Sequence, residues 1–181
     1  MTTQDFINKL KSVLLELNGT REQSAAIISL DVLALLKSRI INVGKDHTGK
    51  KIGDYSTKEV PTYWYVGKEK RIGNAVERLK KVKGDTASYK DWRDVNNLPT
   101  AFKNFSFTGH MWSSIQPKIV ARDQSSITIA FVANTENGSK KIQYALIKYP
   151  NLLTLNKTEE GLIIKSQENR LENVFKKHGL L

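Results

Sequence analysis

The sequence predicts an α+β fold in which N-terminal helices pack on a small antiparallel sheet, followed through a long basic loop or arm, with a helix at the C-terminal end. Three observations predict it. Apolar residues recur at helical spacing over residues 3–41. A period-two alternation follows a turn at residues 123–125. A second helical pattern occupies 167–177. At 181 residues, 39% hydrophobic and 26% charged, the chain is long enough to bury a core and is expected to form one domain over 1–181 with an arm at about 42–89.

The first helix is expected from Thr3 to Leu17, because Phe6, Leu10, Val13, Leu14 and Leu17 share one side. Asn18-Gly19 is a stop signal, and Thr20-Arg-Glu-Gln23 reads as a capping box that starts a second helix. That second helix, to about Ile41, is apolar around most of its circumference, with a narrow polar stripe of Ser24, Asp31 and Ser38. Such a helix is buried on more than one side, either inside its own domain or against a neighbouring subunit.

From Asn42 to Tyr89 the chain loosens. Glycines 44, 49, 53, 67, 73 and 84 and Pro61 punctuate it, and only Asn74–Val82 has the spacing of a short helix. Tyr89–Arg93 and Thr108–Ser114 read as helical turns. Pro117–Arg122 and Ser126–Ala133 read as a hairpin, with Ile127, Ile129, Phe131 and Ala133 on one face. Asn134–Gly138 is expected as a turn and Lys140–Tyr149 as a helix ended by Pro150. Residues 151–166 stay open: Asn156-Lys-Thr-Glu159 resembles a helix start, whereas Leu162–Lys165 has the composition of a strand.

Catalysis finds no foothold. Cysteine is absent, His47, His110 and His178 are scattered, and the acids Asp46, Asp54 and Glu59 lack calcium-loop spacing, so no metal and no cofactor are expected. Gly44-Lys-Asp-His-Thr-Gly49-Lys50-Lys51 approaches a P-loop, but Lys51 replaces the hydroxyl that would hold magnesium, and the segment follows a helix rather than a strand. Ser113 and Ser114 lack a nucleophile elbow. Met1–Asp5 carries an acid where a secretory leader would be basic, and Ser29 and Asp31 interrupt the longest apolar run, so neither a leader nor a membrane span is expected.

The formal net charge is +11, and between Lys45 and Lys90 twelve Lys/Arg face six Asp/Glu. Such a field favours anionic partners. Lys68, Lys70, Arg71, Lys80, Lys81 and Lys83 are the candidate contacts to DNA phosphates or to an acidic partner. Tyr63, Trp64 and Tyr65 are candidates for base stacking or for a subunit interface. Alternatively, the aromatics pin the loop to the core while the lysines stay solvated.

These pieces fall in a recognisable order. An apolar helix ends in Lys37-Ser-Arg-Ile40. A glycine follows, then Asp46, Gly49, Lys50, Tyr55 and Ser56. A second block runs from Tyr89-Lys-Asp-Trp-Arg93 through Phe107-Thr-Gly109-His-Met111-Trp-Ser-Ser-Ile115. A hairpin, Tyr144-Ala145 and an acid-capped terminal helix complete it. Over most of residues 25–175 this order resembles the phage virion-morphogenesis and tail-completion proteins, although Pro150-Asn-Leu-Leu153 stands where that family often has Arg-Pro-Phe-Leu. The resemblance implies a non-catalytic α+β subunit of the head–tail connector or neck, assembled in the host cytoplasm and located in the virion. It further implies a homo-oligomeric ring between portal or adaptor and tail proteins, with possible non-specific contact to genomic DNA and none to membrane. The other reading of the same features is a basic DNA-binding or packaging accessory protein.

Overall fold

The computed structural model describes residues 2–65, 74–105, 110–123 and 125–181. In chain order the elements are α1 (Thr3–Gly19), α2 (Arg21–Lys37), a π-helical turn (Ser38–Val43), β1 (Glu59–Pro61), α3 (Ala75–Lys83), β2 (Thr86–Ser88), α4 (Tyr89–Val95), α5 (His110–Ser114), β3 (Ile115–Arg122), β4 (Ile127–Ala133), α6 (Glu136–Lys148) and α7 (Lys157–Lys177). The mixture of helices with two small antiparallel sheets is the α+β class expected, with helices at both ends. The chain divides into two compact units, residues 1–38 with 111–181 and residues 39–110, where one domain with an arm was expected.

In the first unit α1 and α2 form the N-terminal helical pair, and α2 packs against the β3–β4 hairpin and α7. Thr2 and Asp5 close a capping box at the start of α1. The box expected between Thr20 and Gln23 does not form, because Thr20 is the C-cap of α1 and its hydroxyl donates to the Glu16 carbonyl at 2.9 Å. The buried line of α2 is Ala25, Ser29, Leu33 and Leu36, at helical spacing, with the Ser29 hydroxyl donating to the Ala26 carbonyl at 2.6 Å. Among its large apolar residues only Leu30 is exposed, so α2 carries less free apolar surface than its composition suggested.

The expected hairpin forms, its first strand beginning at Ile115, with Ile115 opposite Ala133, Arg122 opposite Ile127 and an irregularity between Ile119 and Ala121. Asp123 organises its turn by accepting from the amides of Ser125 and Ser126, both at 2.7 Å. The turn expected over Asn134–Gly138 is instead the first turn of α6, because the Thr135 hydroxyl accepts from the Gly138 amide at 3.1 Å and so starts a helix. Residues 157–166 are helix: Asn156 and Glu159 satisfy each other's amides in a capping box, at 2.8 and 2.9 Å, which favours helix over the strand reading. Glu16 on α1 ties down the far end of α7 through Lys177 at 2.9 Å and His178 at 2.8 Å.

Within 42–89, residues 44–58 are irregular apart from the Lys45–Lys51 bridge, and α3 is the short helix expected near Asn74–Val82. Val60, Tyr65, Val76, Leu79, Ala87 and Tyr89 from that segment pack around Trp92, which is fully buried. Trp92 and Tyr89 stack at 5.7 Å between centroids, and Trp92 and Tyr65 at 5.9 Å. Strand β1 pairs with β2, Glu59 opposite Ser88. The glycines had suggested looseness, but the aromatic residues between them supply enough apolar area to close a core. Gly44 is a tight point: its φ is +69°, and a Cβ there would lie 2.1 Å from the Phe102 ring.

Ser88 and Asp91 cap α4, and Lys83 from the end of α3 reaches Asp91 at 2.7 Å. The Lys83 ammonium and the Ser88 hydroxyl together hold the Asp91 carboxyl down at about 2, against 3.8 ordinarily. Because the folded value is depressed, the stabilisation is complete above about pH 4 and is lost as pH falls toward about 2. With the pair partly solvated it amounts to about 1 kcal/mol.

Two expected outcomes test these assignments. Gly44→Ala should cost about 2–4 kcal/mol, from left-handed backbone plus overpacking against Phe102. Gly49→Ala, at a φ of +82° but with nothing within 4 Å, should cost only about 1 kcal/mol. Equal losses in urea unfolding would show that Phe102 yields freely. For Asp91→Asn, the stability difference from the wild type should shrink by about 1 kcal/mol between pH 5 and pH 2. Parallel stability–pH curves would refute the Lys83–Asp91–Ser88 linkage.

Candidate functional site

Among the described residues, the basic and aromatic positions singled out in the sequence divide between exposed and buried ones. Lys68, Lys70 and Arg71 lie outside the described residues. Lys80, Lys81 and Lys83 sit in the last turn of α3, whose opposite face buries Ala75, Val76 and Leu79. Cations there also balance the negative end of the helix dipole, which is a structural reason for their presence. Lys83 is engaged by Asp91, so Lys80 and Lys81 are the more available of the three for a phosphate or an acidic protein.

Tyr63, Trp64 and Tyr65 lie in a short 3₁₀ turn after β1 that splits them. Tyr63 and Trp64 are 64% and 61% exposed, whereas Tyr65 is 3% exposed. Tyr65 is therefore buried within its own unit, unlike its two neighbours. It stacks on Trp92 and donates its hydroxyl to the Ala87 carbonyl at 3.3 Å, and burial pushes its phenol pKa up. Tyr63 and Trp64 remain as large apolar side chains facing outward, suited to stacking or to a protein partner.

The residues behind the motif blocks are also structural. Arg93 is buried, with its guanidinium 4.1 Å above the Tyr55 ring and Nε donating to the Pro99 carbonyl at 2.9 Å. The Tyr55 hydroxyl donates to Asn104 Oδ1 at 2.8 Å, and burial raises its pKa. One residue from each block thus meets in a single buried cation–π contact.

The P-loop-like segment is a turn closed by pairing of Lys45 with Lys51. Asp46 Oδ1 accepts from the amides of Thr48 and Lys50, at 2.9 and 3.0 Å, and from the Thr48 hydroxyl at 2.7 Å. Partial burial raises the carboxyl's pKa, but these hydrogen bonds outweigh it and the net shift is downward. Amides that a phosphate would need are thus held by the chain's own carboxylate. Among the described residues no group of three or more His, Cys, Asp and Glu is placed to hold a metal, and no helix is long and apolar enough to cross a membrane.

What the sequence reading missed is apolar surface on the first unit. Leu15 on α1 is 74% exposed and Ile147 on α6 is 82% exposed. Leu14, Tyr144, Leu162 and Ile164 are also exposed. The signal for α6 was present: with Ile142, Ala145 and Leu146 facing inward, residues 144 and 147 fall on the opposite side of the same helix. Compared with family models, with curated proteins and with solved structures, the chain matches none.

Proposed function

We propose that the chain is a non-catalytic structural subunit of a bacteriophage neck or head–tail connector, forming a ring by contacts between copies and with neighbouring virion proteins. The observation that carries this reading is the unpartnered apolar surface of α1, α6 and α7, with Leu15 and Ile147 its most exposed members. Leu14 and Leu15 are neighbours on α1, and Tyr144 and Ile147 share one face of α6, so each helix presents a paired apolar surface suited to protein–protein contact. Heterologous contacts between two different patches close into rings, and several exposed helices supply such different patches. The ordered motif resemblance supplies the phage context, and the Tyr55–Arg93 contact gives those motif residues a shared structural role.

A second reading, a basic DNA-binding or packaging accessory protein, is favoured by the exposed pair Tyr63 and Trp64 in the unit that also carries Lys80 and Lys81. The two readings separate in solution. Light scattering should find multiples of 20.5 kDa, alone or with purified neck components. Ile147→Asp or Leu15→Asp should weaken that assembly about 10–100-fold, the worth of one buried aliphatic side chain. A 20.5 kDa monomer that ignores neck components would sink the connector reading. If that monomer grips duplex DNA with a steep salt dependence, the accessory reading replaces it.

A further inference from the structure

Two exposed helix faces of the first unit carry one pattern with opposite charge. On α6, Lys140, Tyr144 and Lys148 stand at four-residue intervals and are all exposed, with Ile147 widening the apolar centre. On α7, Glu160, Ile164 and Glu168 stand at the same intervals and are likewise exposed. Residues four apart are neighbours on one face of a helix. Each face therefore sets an apolar side chain midway between two like charges, cationic on α6 and anionic on α7. Eight residues of helix rise about 12 Å, so both charge pairs have the same separation. Tyr144 is 67% and Ile164 59% exposed, so neither face covers the other within one chain.

The charges just outside this pattern set a direction. Glu136 lies four residues before Lys140 and Lys157 three residues before Glu160, and both are exposed. With the helices parallel, Glu136 meets Lys157, Lys140 meets Glu160, Tyr144 meets Ile164 and Lys148 meets Glu168. With the helices antiparallel, Glu136 would face the exposed Glu172 instead. Like charges set against each other across an interface are costly and suppress the wrong pairing. Lys140 reaches Glu136 within its own helix at 2.6 Å, but both side chains are solvated, so that pair yields at little cost.

We propose that α6 of one copy docks in parallel on α7 of a second copy. The pairing rests on the assembly of copies proposed above and names the two faces that meet. In a chain of net charge +11 copies repel one another at long range, so contact between them needs a local match of opposite charge. The faces are different surfaces of one chain, so the contact is heterologous and repeats from copy to copy. Duplex DNA would match Lys140 and Lys148 but gives Glu160, Ile164 and Glu168 no role.

The test is sedimentation velocity of the full chain, with thermal melts reporting that each variant is folded. Lys148→Glu and Glu168→Lys should each weaken self-association about tenfold or more. The two reversals together in one chain should restore it, whereas Lys148→Glu with Glu160→Lys should not. Should a reversal fold poorly, Lys148→Gln and Glu168→Gln take its place, each weakening association severalfold. A wild-type chain that stays monomeric up to about 1 mM overturns the pairing, and the connector reading is then decided separately by assembly with neck components. Multiples that survive both single reversals, or that the Lys148→Glu/Glu168→Lys chain fails to recover, overturn the pairing and leave the connector reading in place. Loss with Lys148→Glu while Glu168→Lys is neutral assigns α6 to some other acidic surface and overturns it too. Rescue by Glu160→Lys in place of Glu168→Lys overturns the parallel direction.

Discussion

The constraint that governs this molecule is the ratio of surface to volume. A chain that folds as two compact units divides its apolar residues between two small interiors, and neither encloses as much as one larger core would. In the second unit the shortage is met by aromatic size, since Trp92, Tyr65 and Tyr89 cover large areas with few residues. Among the first unit's described residues Trp112 is the one buried aromatic. The unit's other buried positions are mainly medium-sized or small, Val13, Ala25, Leu33, Ala145 and Leu152 among them. Aliphatic side chains therefore remain on the outside of α1, α6 and α7. The proposed assembly role is one physical answer to that surplus.

Periodicity made the helices and the hairpin legible, because each has one face that must be buried and the spacing of that face shows in the residues. The cap pattern was visible at Asn156 and Glu159, although the composition of 162–165 left that segment open, and the boxes at Thr2–Asp5 and Ser88–Asp91 went unread. The same pattern misled at Thr20, where two helices meet with no intervening loop and one side chain has to end the first helix before it can begin the second. The packing of Tyr65, Leu79 and Ala87 against Trp92 was hidden for a different reason. That core is assembled from residues scattered over short elements, and contact between distant short segments leaves no period behind.

The candidate surfaces were legible only in part. Composition marked the basic residues of α3 and the Tyr63–Tyr65 run but could not say which side chains faced inward, since that depends on the phase of a single 3₁₀ turn.

The Asp46 turn shows how a short motif can share letters with a receptor and have the opposite chemistry. Its glycines allow the bend, and its amide hydrogens converge as an anion cradle's do, but an intramolecular guest is already seated there. Such a turn keeps its shape without waiting for any visitor, and dissolved phosphate must compete with a tethered rival whose local concentration no buffer approaches. For this segment the glycines and lysines describe a self-sealed corner of the backbone, one that gives residues 44–51 a fixed outline for neighbouring chain to pack upon.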